Sequence, residues 1–223
     1  MRHLVTGASS GIGRAVAERL RDRGDDLVLI GRDAARLRDF PDAEVIEVDL
    51  ADAAAVEAVK VDGPLDSIIH SAGIVDLSPV GSFDTEQWSA QLAVNLTAPA
   101  ILTRTLLPLL RESEGTVVYV NSSAGLAAGP EWSAYAASKF GLRALADSLR
   151  AEEVDHGVRV TTVFPSRTAT PMQEKVHEQE GATYDASKWI PPETVADTIL
   201  HVLDLPAGTT IPEVTVRPVV PRR

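Results

Sequence analysis

The chain has no cysteine in its 223 residues, which removes disulfides and thiolate metal sites from consideration. Histidine is scarce, with five scattered residues, no His-x-x-x-His pair and no evident ligand cluster, so no metal centre is expected. Positive charge is also in deficit: 21 Lys and Arg face 32 Asp and Glu, for a formal net charge of -11. No basic stripe offsets that average, so neither nucleic acid nor an anionic membrane surface is an expected partner. Contiguous apolar runs fall short of the roughly 20 residues that cross a bilayer. The opening "MRHLVTG" runs into a strand pattern instead of a signal-peptide core. A cytoplasmic location is the simplest expectation.

What is present is enough apolar material, 44% of residues against 24% charged, to bury the core of one globular domain over residues 1–223. Short apolar runs, "HLVT", "DLVLIG", "EVIEVD", "DSIIHSAG", "GTVVYVNS" and "VRVTTVFP", end in turn residues and read as strands. Between them lie amphipathic segments. "GRAVAERLRDRG" spaces Val16, Ala17 and Leu20 along one helical face and stops at Gly24, while "DAAAVEAVK" and "PETVADTILHVLDL" begin with good capping or first-turn residues. A last strand is expected at Glu213 to Val216, before a Pro-rich tail, "RPVVPRR", that frays or packs on another subunit. The βα alternation predicts an α/β, Rossmann-type doubly wound fold, its mostly parallel sheet flanked by helices on both faces. Ligands of such folds bind at the carboxyl ends of the strands.

"TGASSGIG", Thr6 to Gly13, follows the first strand and opens the first helix. Gly7, Gly11 and Gly13 allow a tight turn and close backbone approach, and a helix N-terminus offers free N–H groups to a pyrophosphate. Ser9 and Ser10 can add hydroxyl contacts.

With "SAG" at 71–73, Asn95, "SSAG" at 122–125, "YAASK" at 135–139 and "PSRTAT" at 165–170 in that order, the chain resembles the short-chain dehydrogenase/reductase family over nearly its whole length. Two positions depart from the family pattern: its Asn-Asn-Ala-Gly turn reads "HSAG" here, and Ser166 replaces the glycine of its Pro-Gly pair. The resemblance implies an oxidoreductase in which Tyr135 is general acid or base and Ser122, rather than its neighbour Ser123, orients the substrate oxygen. Lys139 holds the nicotinamide ribose, and Asn95 carries a water that extends a proton relay. It also implies cofactor contacts at Thr6, Gly7, Ser9, Ser10, Gly11, Ile12, Gly13, Asp49, Leu50, Ser71, Ala72, Gly73, Asn95, Tyr135, Lys139, Pro165, Thr168 and Thr170. A homodimer or homotetramer through the long helices starting near Trp88 and Ser133 follows from the same resemblance.

The spacing adds physical reasons. Tyrosine ordinarily ionises near pH 10, and Lys139, four residues on along the same helical face, is expected to lower the value for Tyr135. At the end of the second strand Gly31 offers no carboxylate for a ribose, whereas Arg32 presents a guanidinium suited to a 2′-phosphate. NADP(H) is therefore expected over NAD(H). The competing assignment makes Asp33 the ribose-binding acid, although Asp33 also reads as the N-cap of "AARLRDF". Residues 171–190, with Met172, Tyr184 and Trp189, are expected to form a mobile substrate lid, and Trp132 a further pocket wall. The expected reaction is NADP-dependent hydride transfer between nicotinamide and a small carbonyl compound or secondary alcohol. A non-catalytic dinucleotide sensor and a dehydratase or epimerase on the same cofactor fold are the alternatives.

Overall fold

The computed structural model describes residues 1–219, so the last four residues of the Pro-rich tail lie outside it. Seven strands form one parallel sheet: β1 (Arg2–Thr6), β2 (Asp26–Gly31), β3 (Glu44–Glu47), β4 (Ser67–His70), β5 (Thr116–Val120), β6 (Arg159–Pro165) and β7 (Glu213–Val216). Their spatial order is β3-β2-β1-β4-β5-β6-β7, with every pairing parallel. All seven expected strands are present, and β7 has the expected bounds. The helices are α1 (Gly11–Asp22), α2 (Ala53–Glu57), α3 (Thr85–Leu92), α4 (Ala98–Ser113), α5 (Ser133–Glu152), α6 (Pro171–Gln179) and α7 (Pro192–Leu203). A π-helical turn, Ala93–Thr97, joins α3 to α4.

Strand side chains alternate between faces, so neighbouring residues feed two separate cores. Leu4, Val28, Ile30, Ile68, Val117 and Tyr119 point to one face, where Leu102, Leu106 and Leu110 of α4 and Leu142, Ala146 and Leu149 of α5 cover them. Val5, Leu27, Leu29, Ile69, Val118 and Val120 point to the other, covered by Val16, Ala17 and Leu20 of α1 and by Val195, Ile199 and Val202 of α7. Burial on both faces explains why the strands read as nearly unbroken apolar runs.

Carboxylates start several helices. Asp52 accepts hydrogen bonds from Ala54 N and Ala55 N, and Asp84 does the same from Glu86 N and Gln87 N. The continuous helical run Thr85–Ser113 is long and apolar enough to cross a bilayer by length and composition only, although it contains no contiguous apolar stretch of that length. Counting contiguous apolar residues overlooked it because its polar residues are interspersed. The apolar stripe on α4 lies against the sheet, as a core helix requires.

Two histidines belong to the core. His3 Nδ1 lies 2.7 Å from Ser67 Oγ. His70 Nε2 lies 2.9 Å from Thr103 Oγ1, which in turn is 2.9 Å from the Tyr119 hydroxyl, and the His70 and Tyr119 rings stack at 5.0 Å. His70 therefore spends its side chain on the sheet, at the position where the family turn has asparagine. Burial lowers His3 to about 4, against the opposing pull of Asp25, and lowers His70 to about 3. The unfolded chain consequently binds more protons than the fold below pH 6.5, the ordinary histidine value. Stability is complete above that pH and falls as pH drops towards the folded values, by about 1.4 kcal/mol per pH unit for each histidine. Urea midpoints should therefore decline between pH 6.5 and 5, above the carboxylate range. A flat midpoint there would contradict neutral buried histidines.

Candidate active site

The carboxyl ends of β1, β4, β5 and β6 open onto a cleft of about 560 Å³. At its centre the loop after β1 is packed so tightly that only glycine fits. A Cβ on Gly13 would lie 2.5 Å from the Gly7 carbonyl oxygen, and one on Gly7, which holds φ +76°, would lie 2.8 Å from Ala72 Cα. Ser10, the N-cap of α1, makes no side-chain cap, so the first N–H groups of the helix lack that partner. Gly7, Ser9, Ser10, Gly11, Ile12, Gly13, Ser71, Ala72 and Gly73 all line the cleft. Thr6 does not: its buried hydroxyl accepts from the N–H groups of Ser71 and Ala72, each at 3.1 Å. It is a brace behind the wall.

One end of the cleft is charged. Arg32, Asp49 and Leu50 line it, joined by Arg36, which sequence reasoning missed. Neither guanidinium has a hydrogen-bond or ion-pair partner among the described residues. The signal for Arg36 was the cap itself. Asp33 Oδ1 accepts from Ala35 N at 2.8 Å and starts the 3₁₀ turn Ala34–Leu37, which brings Arg36 to the same cleft as Arg32. Asp33 is thus a cap outside the cleft lining.

At the other end Ser122, Tyr135 and Lys139 meet. The turn after β5 delivers Ser122, as N-cap of the 3₁₀ turn Ser123–Gly125, and α5 delivers the other two, with Ser122 close enough to Tyr135 to influence its hydroxyl. Ser122 Oγ also accepts from Ala124 N at 3.1 Å. Lys139 Nζ donates to the Val120 carbonyl at 3.0 Å and lies 5.7 Å from the centre of the Tyr135 ring. Asn121, missed in the sequence, locks these elements together: Nδ2 donates to Lys139 O at 2.9 Å and Oδ1 accepts from Ser122 N at 2.8 Å. The family glycine Gly125 was its signal, because a side chain there would collide with Asn121 Oδ1.

Asn95 is fully buried in the π-helical turn behind the cleft wall. Its Nδ2 donates to Ile74 O at 2.9 Å and to Ser138 Oγ at 3.1 Å, while Oδ1 accepts from Ile74 N at 2.8 Å. The side chain spans the loop after β4 and the helix that carries Tyr135.

The expected lowering of the Tyr135 pKa is reversed by the protein's own groups. Burial pushes the hydroxyl up to about 12 against the Ser122 hydrogen bond, and burial pulls Lys139 down to about 8. Two groups on one helical face share one apolar environment, and desolvation outweighs the distant ammonium.

Pro165, Ser166, Thr168 and Thr170 line the cleft on the β6 side. Thr170 caps α6 by accepting from Gln173 N at 3.3 Å. Met172, Gln173 and Val176 of α6 and Trp132 of α5's N-cap complete the wall. Tyr184 and Trp189 stay out of it. Their rings pack on His177 at 5.3 and 5.1 Å, fixing the far end of the 171–190 segment. Asp76 holds α6 from the opposite side, accepting from Lys175 Nζ at 2.8 Å and Gln179 Nε2 at 2.9 Å.

A family profile described as short chain dehydrogenase matches residues 2–181. The chain belongs to that family. An uncharacterised oxidoreductase of Staphylococcus epidermidis is 30% identical over 227 residues, spanning 97% of this chain and 96% of that protein. A short chain dehydrogenase of Salmonella enterica serovar Typhi superposes with a TM-score of 0.89 at 29% identity, covering 97% of this chain and 96% of the other. One from Shigella flexneri, solved in complex with NADP, gives 0.86 at 28% identity over 96% and 95%. This short-chain dehydrogenase is therefore an oxidoreductase with a Rossmann-type nucleotide-binding fold.

The Gly7–Gly13 contact fits a dinucleotide, since it brings backbone N–H groups to the floor of the cleft with no side chain between. Gly13→Ala drives a methyl into backbone and should weaken binding of a reduced nicotinamide dinucleotide, NADH or NADPH, at least 100-fold, measured by fluorescence titration. Near-normal affinity would show that the loop is not the pyrophosphate cradle.

Proposed function

We propose that the protein is an NADP-dependent reductase of small carbonyl compounds, with Tyr135 as proton donor. The observation that carries this reading is the convergence of the Ser122 and Tyr135 hydroxyls, with Lys139 one turn on, at the end of the cleft opposite Arg32 and Arg36. A reduced nicotinamide bound in the cleft supplies a hydride to the carbonyl carbon.

The chain's own residues do the rest. Ser122 donates a hydrogen bond to the carbonyl oxygen and orients it. Tyr135, kept neutral by burial up to about pH 12, gives that oxygen its proton, which completes the alcohol. Lys139 anchors the ribose and, as a cation within one turn, favours the tyrosinate left behind. Asn95 holds Ile74 and Ser138 in place, and its Oδ1 retains a lone pair for the relay water expected of it. Gly7 to Gly13 take the pyrophosphate, Thr168 and Thr170 the nicotinamide side, and Asp49 and Leu50 the adenine side.

Two partnerless guanidinia favour NADP, because a 2′-phosphate accepts charge-assisted hydrogen bonds that a ribose hydroxyl does not offer. Asp33 is occupied as a cap, which supports Arg32 over the acid as selector. The Shigella relative's NADP complex points the same way. Hydride transfer is favoured over the sensor reading because the Tyr135 hydroxyl lines the cleft within reach of a second donor.

Tyr135→Phe should lower kcat by about 10² to 10⁴-fold while NADPH affinity stays within a few-fold. A Tyr135→Phe enzyme with near-normal turnover removes the tyrosine from the mechanism. For the cofactor, Arg32→Ala and Arg36→Ala are each expected to reduce kcat/KM with NADPH at least tenfold more than with NADH. A wild type that prefers NADH, with its larger loss in Asp33→Ala, would transfer selection to Asp33.

A further inference from the structure

The Ser122–Tyr135 end of the cleft differs from the rest in one respect: among the described residues it presents no unengaged charged side chain. Val75, Ala124 and Val176 are buried in one cluster with Tyr135, and Leu77, Trp132 and Met172 pack against it. The cleft's unengaged cations, Arg32 and Arg36, stand at the opposite end, together with Asp49. Arg167 does line the cleft, but both Glu180 carboxylate oxygens accept from it, at 2.7 and 2.5 Å, and its guanidinium lies over the Trp189 ring at 5.5 Å. Lys175 is spent on Asp76 and on the Val75 carbonyl. Lys139 is buried and donates to Val120 O. Gln173, the polar residue of α6 in the cleft lining, makes a 3.0 Å contact with His177 Nδ1.

We infer that the substrate is an uncharged ketone or aldehyde bearing a small aromatic or branched apolar group, seated between Trp132 and the α6 residues Met172 and Val176. This rests on the reductase reading and names the substrate class of that same site. A carboxylate or phosphate on the substrate would be taken out of water with no cation to meet it, an unfavourable transfer that apolar contact does not offset. An apolar group displaces water from an apolar wall, which is favourable.

Trp132 is the specificity-determining residue of that wall, and the backbone is arranged to present it. Glu131 holds φ +69°, a left-handed conformation that a side chain of this kind rarely adopts. Its carbonyl accepts from Ser78 N at 2.8 Å, tying the loop before α5 to the loop after β4. The chain then turns so that the Trp132 ring meets Tyr135 edge-on, with centroids 5.7 Å apart and planes at 69°. A flat substituent on the carbonyl finds an aromatic partner there, beside the proton donor.

The test compares three dicarbonyls in NADPH oxidation by the purified full chain: 1-phenylpropane-1,2-dione, its ring para-carboxylate, and butane-2,3-dione. The para-carboxylate differs only at the far end of the ring, so the reacting carbonyls stay closely matched. The neutral aryl compound is expected to exceed its carboxylate at least 30-fold in kcat/KM. Trp132→Ala is expected to lower the aryl-to-butanedione ratio at least tenfold, and Trp132→Leu serves should that variant not fold. Equal or better use of the carboxylate overturns the substrate class while leaving the reductase reading standing. Failure of all three compounds with a protein that binds NADPH instead counts against the reductase reading. Calorimetric titration of the two aryl compounds into the NADP-loaded protein then decides the pocket: tighter binding of the neutral compound supports the inference, and equal or absent binding overturns it.

Discussion

The Gly7 carbonyl oxygen lies where only a hydrogen atom on Gly13 can stand, and much of the molecule is arranged around that approach. It seats the N-terminus of α1 against the end of β1, so α1 covers the sheet face lined by Val5, Leu29 and Ile69. Across the same loop, Gly7 touches the backbone of Ala72 and Thr6 binds the Ser71 and Ala72 amides. The ends of β1 and β4 are thereby held together at the point where the strand order reverses. A ligand lying along this edge meets backbone donors in the middle and functional side chains at each end.

The two ends of the cleft are electrostatic opposites, and burial makes them so. Arg32 and Arg36 are exposed, have no ion-pair partner among the described residues and remain open to an anion. At the far end the same kind of group is desolvated. Lys139 becomes a weaker base there and Tyr135 a weaker acid than either is in water. The pair is thus set apart from surface groups by its surroundings more than by its spacing. The local hydrogen bonds act chiefly on orientation: Asn121 sets β5 against α5, and Asn95 sets the loop after β4 against the same helix.

Much of this could be read in the chain. The seven strands are visible as apolar runs because both faces of the sheet are covered, and the glycine loop is visible because its spacing follows from steric exclusion. Tyr135, Lys139 and Ser122 were identifiable through their order and spacing, and the structure brings them to one cleft. Direction of side chains was harder to read. Thr6 sits inside the motif yet points to Ser71 and Ala72, and Tyr184 and Trp189 resemble pocket residues yet pack on His177. Arg36 was hidden because a 3₁₀ turn, not an α-helix, sets which residues accompany Arg32. The direction of the Tyr135 shift escaped because burial of a whole neighbourhood outweighs one favourable neighbour four residues away, and sequence spacing shows only the neighbour.

Asp76 gives the segment over the cleft a mechanical property. Its carboxylate holds Lys175 and Gln179 of α6, while its backbone N–H and carbonyl are bonded to the Gln91 side chain, each at 3.1 Å. Gln91 belongs to α3, one turn before Asn95. Lys175 also donates to Val75 O and Gln179 accepts from Leu77 N, so α6 and α3 are joined through residues 75–77. A displacement of α6 that leaves these bonds intact carries its tension to the turn that holds Asn95, so the two sides of the cleft are coupled by tension as well as by shape.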